Sequence, residues 1–123
     1  MTNLEVSQRL ADELPAKVVG MCEKRALIVR RIEELKRLGV VDAKPHYRPG
    51  RSKGDYLWLI HPTAPDGSRQ REYIGCEPDK VKSALDKAKR GTNLKKLESE
   101  LLELDMTANQ LRLKLQAVYL LFR

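Results

Sequence analysis

An α+β fold, with a small antiparallel β-hairpin or three-stranded sheet between an N-terminal helical hairpin and a long C-terminal coiled-coil helix, is predicted by three features of this 123-residue sequence. The last third carries nine consecutive heptad a and d positions, all apolar: Leu94, Leu97, Leu101, Leu104, Ala108, Leu111, Leu115, Val118 and Phe122. Alternating steps of three and four hold these side chains on one stripe of a helix, and a lone helix cannot bury such a stripe. The middle of the chain changes to a period of two, punctuated by glycine and proline. The first 39 residues show helical spacing again.

Thr2 or Asn3 can cap a first short helix in which Val6, Leu10 and Leu14 follow at i, i+4 and i+8, until Pro15 interrupts or restarts it. A longer helix carries Met21, Ile28, Ile32, Leu35 and Leu38 on one stripe, and Gly39 stands at a left-handed C-cap. Residues 44 to 54, KPHYRPGRSKG, hold two prolines, two glycines, four basic residues and no acid, which reads as an extended loop. Tyr56 to His61 alternates as a strand, Pro65, Asp66 and Gly67 form a turn, and Arg69 to Ile74 returns as the second strand of a hairpin. Gly75 ends that strand, and Pro78 opens a short helix whose Val81, Leu85 and Ala88 face the core. Gly91 either stops this helix, with Thr92 or Asn93 capping the long one, or sits inside a single kinked helix. The expected organisation is one domain over residues 1 to 123: helical segment 3–39, basic loop and hairpin 44–76, short helix 78–90 and coiled-coil helix 92–123.

Aromatic residues make up only 5% of the chain, so its core must be mostly aliphatic. Residues 44 to 96 contain 13 Lys or Arg and 6 Asp or Glu, a net of +7, while the remainder holds 11 of each. All the formal charge therefore sits in the middle of the chain, which points to a polyanionic partner. The start, MTNLEVSQRL, lacks the layout of a secretory signal, and no apolar run approaches the roughly 20 residues that span a bilayer. A cytoplasmic protein without a membrane partner is expected. Cys22 and Cys76 then read as structural thiols, buried or half-buried.

Alternation divides the hairpin into two faces. Leu57, Leu59, Gln70, Glu72 and Ile74 form one, and Tyr56, Trp58, Ile60, Arg69, Arg71 and Tyr73 form the other, with Tyr47 nearby in sequence. Three of the four tyrosines and the only tryptophan thus fall in or beside a basic hairpin. Flat rings stack on bases while arginines hold phosphates, so Arg48, Arg51, Lys53, Tyr56, Trp58, Arg69, Arg71 and Tyr73 are the candidate nucleic-acid-binding residues. Trp58 has a second reading as simple core, and the basic loop as a solvated turn. Candidate oligomerisation residues are Leu97, Leu101, Leu104, Ala108, Leu111, Leu115, Val118 and Phe122, which would form a homodimer through the C-terminal helix.

Signals for catalysis are poor. His46, His61, Cys22 and Cys76 do not fall in zinc-ligand spacing, and a His61–Asp66 pair would have no nucleophile motif beside it. Glu98, Glu100, Glu103 and Asp105 surround the helical seam as a solvated face. Neither a metal nor a cofactor is expected.

Residues 54 to 90, GDYLWLIHPTAPDGSRQREYIGCEPDKVKSALDKAKR, resemble in their strand, turn, strand and helix order the small arm-site DNA-binding domains of tyrosine recombinases. They are also similar to short uncharacterised proteins of phages and plasmids that pair a basic hairpin with a helical tail. The shared pieces are the DG of the turn and the YIG ending the second strand. The resemblance implies DNA contact through Arg69, Arg71 and the neighbouring hairpin, and it carries no catalytic domain with it. The expected function is a non-enzymatic, oligomeric nucleic-acid-binding protein of phage or mobile-element origin, binding DNA in preference to RNA. The alternative is a protein-interaction module, such as an adaptor or a small phage-encoded inhibitor of a host defence complex of the CRISPR type, whose basic face meets an acidic protein partner.

Overall fold

The computed structural model describes residues 1–49 and 55–123. The elements in chain order are α1 (Asn3–Leu38), β1 (Lys44–Pro49), β2 (Asp55–Ile60), β3 (Arg71–Gly75) and α2 (Pro78–Leu120), an α+β arrangement with a three-stranded antiparallel sheet. They form two compact units, one combining Met1–Arg31 with Leu97–Arg123 and the other comprising Ile32–Lys96.

The expected N-terminal helical hairpin is instead one continuous helix, α1, with Pro15 inside it. An interior proline loses one backbone bond and costs about 3 kcal/mol. The apolar stripe keeps its register across it: Leu14, Val18, Met21, Ile28, Ile32 and Leu35 follow at steps of four, three and seven, and all are half-buried or buried. A long packed stripe outweighs one lost bond. The ends of α1 follow local chemistry. The Thr2 hydroxyl accepts the Glu5 N–H at 3.1 Å, and Gly39, at φ 96°, donates its N–H to the Leu35 carbonyl at 3.1 Å.

In the first unit, Val18, Met21 and Cys22 of α1 line one narrow groove with Leu104, Ala108 and Leu111 of α2. Arg25 reaches across it to Asp105 in a two-pronged pair, Nε to Oδ1 at 2.8 Å and the terminal nitrogen to Oδ2 at 3.3 Å. The hydrogen bond from Arg25 holds the Asp105 carboxyl below the usual carboxylate range. Asp105 therefore spans two helices rather than belonging only to a solvated face. Ile28, 6% exposed, is the one buried large side chain of this unit among the described residues.

The second unit holds the sheet, in the order β1-β2-β3. The segment expected as a basic loop contains β1, which pairs along its whole length with β2, from Lys44 opposite Ile60 to Pro49 opposite Asp55. Pro45 and Pro49 are tolerated because β1 is an edge strand, and they deny donors to any strand that would add to that edge. Gly67 closes the β2–β3 connection through its N–H to the Ala64 carbonyl at 2.9 Å, and the Asp66 carboxylate accepts the Ser68 N–H and hydroxyl. Those bonds lower the Asp66 pKa below its ordinary value.

The core forms where β2 meets the first turns of α2. Leu57 and Leu59, 0% and 2% exposed, pack with Ala43, Ala84 and Ala88, bordered by Val41, Ile74, Val81 and Leu85. Ala84, Ala88 and Gly91 fall at i, i+4 and i+7, a stripe of small residues that admits backbone close to the helix. Gly91 does not stop α2, which runs unbroken for 43 residues. It lies against the Val41 carbonyl, where any Cβ would collide, while the Val41 N–H donates to the Lys87 carbonyl at 3.1 Å. Arg90 donates from Nε to the Gly39 carbonyl at 2.7 Å and from a terminal nitrogen to the Leu38 carbonyl at 3.3 Å, satisfying the open end of α1. Lys95 pairs with Asp42 at 2.6 Å. Leu57→Ala is expected to cost about 3 kcal/mol, because the site is fully enclosed and cannot collapse. Urea unfolding checks this as a lower midpoint at unchanged slope.

Candidate nucleic-acid interface

β2 presents Leu57 and Leu59 to the core and Tyr56, Trp58 and Ile60 to the opposite face. Residues directly opposite on antiparallel strands share a face, so the register completes this second surface. Lys44 lies beside Ile60, His46 beside Trp58 and Arg48 beside Tyr56 on one flank; Tyr73 lies beside Trp58 and Arg71 beside Ile60 on the other. These eight positions include three Lys or Arg, one His, three aromatics and no Asp or Glu.

The aromatics form one contiguous group. Trp58 and Tyr73 meet edge to face with centroids 5.0 Å apart, and Tyr56 lies 6.0 Å from Tyr73 at 43°. The Arg48 guanidinium sits 5.4 Å from the Trp58 centroid, a cation–π arrangement. Trp58 is half-buried on the side away from the core, so its reading as simple core does not hold. The β2–β3 register shifts between Leu57 and Trp58, where Gly75 at φ 102° pairs with Leu57. The Tyr73 hydroxyl comes within 3.5 Å of where a Gly75 Cβ would stand, so the ring covers that glycine.

Several cations of the second unit are already engaged within the chain. Lys95 is neutralised by Asp42, Arg90 is occupied by carbonyls, and Lys80 lies 3.4 Å from Glu77. Lys44, Arg48 and Arg71 are exposed and form no ion pair among the described residues. The sheet face thus carries positive charge free for an outside anion next to exposed ring surface.

Of the candidates named from sequence, Arg48, Tyr56, Trp58, Arg71 and Tyr73 come together here. Arg69 does not: it precedes β3, and its guanidinium donates to the Thr63 hydroxyl at 3.1 and 3.2 Å. Arg51 and Lys53 lie outside the described residues. Tyr47 pairs with Leu57 and so points to the other side of the sheet. Lys44 and His46 were missed because a loop has no faces. The signal was present in KPHYRP, where Lys44, His46 and Arg48 recur every second residue.

His61 does not pair with Asp66. Its Nε2 lies 3.4 Å from Glu72, while Asp66 is engaged by Ser68. Both cysteines are exposed rather than buried. Among the described residues no group of three His, Cys, Asp or Glu is placed to hold a metal, and no helix is long and apolar enough to cross a membrane. Of the candidate oligomerisation residues, Leu97, Leu101, Leu104, Leu111 and Leu115 are half-buried, whereas Ala108, Val118 and Phe122 are exposed. No protein-family model, no curated protein and no solved structure matches this chain.

Proposed function

We propose that this is a non-enzymatic nucleic-acid-binding protein, favouring DNA over RNA, that uses the outward face of its sheet. One observation carries the reading: among the described residues, Lys44, Arg48 and Arg71 have no ion-pair partner and surround Tyr56, Trp58 and Tyr73 on a face with no acidic residue. Cations supply phosphate contacts and exposed rings supply base contacts. The likeness of residues 54 to 90 to recombinase arm-site domains and to short phage and plasmid proteins ties the reading to mobile DNA, with contact now assigned to Arg71 and Arg48 ahead of Arg69. With about five phosphates neutralised by Lys44, Arg48, Arg71 and by Arg51 and Lys53, which follow Arg48 in the sequence, log affinity falls against log salt with a slope of roughly −3.5 to −4.5. Anisotropy titrations at several salt concentrations measure that slope. Absence of binding to both DNA and RNA at low salt would refute the reading in favour of an acidic protein partner.

The same proposal includes self-association through the helical unit, as a homodimer joined along a coiled-coil-like helix face. Two helices alone bury little, and α2 leaves Leu102, Met106, Leu113 and Leu120 between 51% and 62% exposed, beside Val118 and Phe122. These residues recur at steps of four and seven, a second stripe beside the one that lines the groove with α1. Leu113→Glu with Leu120→Glu is expected to turn a dimer into a folded monomer by light scattering. A wild-type protein monomeric at high micromolar concentration would end the dimer claim.

A further inference from the structure

Resting on the reading that the sheet face binds nucleic acid, we infer that its ligand is single-stranded, with unpaired bases stacked on Trp58 and Tyr73 and phosphates held by Lys44, Arg48 and Arg71. A paired base in a duplex offers only its edges, and its flat faces are covered by its neighbours. Ring surface is therefore useful only against bases that are already unstacked. Here the rings are placed for that role. Tyr73 is 55% exposed, Trp58 and Tyr56 are half-buried, and all three sit on the side of the sheet opposite Leu57 and Leu59.

Shape gives the same answer. The major groove of a duplex, about 12 Å wide, admits a helix or a two-stranded ribbon. Trp58 lies in the middle of three strands, flanked by His46 and Tyr73, so the surface that bears it is broad. The Arg48 guanidinium lies over the Trp58 ring, so a base that stacks there takes the place of that group and leaves it to a phosphate. Cations stand at both ends of the row: Lys44 and Arg71 beside Ile60, and Arg48 beside Tyr56. Four strand steps of about 3.3 Å separate those ends, about 13 Å in all, so a strand lying along β2 meets positive charge at each end of its stacked bases. No Asn, Gln, Asp or Glu stands among the eight positions, and with Lys44, Arg48 and Arg71 engaged on phosphates recognition rests on stacking and tolerates sequence.

Trp58 is the only tryptophan, and its fluorescence reports on this face alone. The test titrates the full-length protein with a mixed-sequence 20-nucleotide DNA strand, and with the same strand annealed to its complement. The single strand is expected to bind at least about ten-fold tighter and to quench Trp58 emission. Tyr73→Leu, which keeps an apolar cover over Gly75, is expected to weaken single-strand binding by about 5- to 100-fold with little effect on the duplex, while Tyr73→Phe keeps full affinity. Duplex binding as tight as single-strand binding, with Trp58 emission unchanged, would overturn this inference and leave the nucleic-acid reading standing. Binding of neither at low salt would remove both.

Discussion

Gly91→Ala is expected to destabilise the protein by about 2 kcal/mol or more, although alanine is the better helix former by about 1 kcal/mol. In an isolated helix the substitution would stabilise. In this fold the added Cβ overlaps the Val41 carbonyl and stands 2.9 Å from its carbon. Backbone cannot swing aside as a flexible side chain can. Val41 is also tied to α2 by its own N–H on the Lys87 carbonyl, and it leads two residues later into buried Ala43. Displacing it loosens the join between α2 and the sheet. For a chain of this size the loss corresponds to a fall in Tm of roughly 6–10 °C. A rise in Tm would mean that propensity governs this position and that Val41 does not pack on it.

Arg48→Glu combined with Arg71→Glu is expected to reduce nucleic-acid affinity at least a hundred-fold at low salt while leaving the fold intact. Both side chains are exposed, and neither has an ion-pair partner among the described residues. They flank β2 from opposite sides, Arg48 on β1 and Arg71 on β3. Each reversal replaces attraction to a phosphate with repulsion, so the salt slope becomes shallower by about two as well as the affinity lower. Arg69→Glu is the internal comparison, because Arg69 lies outside β3 and is held by Thr63. It is expected to cost under ten-fold. Equal losses from Arg69 and from the Arg48/Arg71 pair would place the binding surface at the hairpin end rather than on the sheet face.

The parts of the fold legible in the sequence are those whose physics is local. Thr2 caps α1, Gly39 adopts a left-handed conformation at its end, Gly67 closes the turn, and Pro78 begins α2. The alternation of β2 likewise separated Leu57 and Leu59 from Tyr56 and Trp58, and with them most of the candidate site. Each of these choices involves only a few neighbouring dihedrals or the fixed period of a strand.

Where local signals pointed the other way, long-range contacts overrode them. Pro15 reads as an interruption or restart, yet a continuous apolar stripe carries α1 through it. Gly91 reads as a stop or as a residue inside one helix, and the close approach of Val41 explains a glycine within continuous α2. The alternation in β1 was outweighed by its prolines and basic residues, which favour a loop until β2 supplies a pairing edge. Only that pairing brings Lys44, His46 and Arg48 onto the face of Trp58. The sequence by itself determined the caps, the turn, the helical stripes and the inward and outward sides of β2, all encoded within about one helical turn or strand. Tertiary structure alone decided where the helices continue and which cations gather around the aromatic rings, because those outcomes depend on the free energy of contacts between residues far apart in the chain.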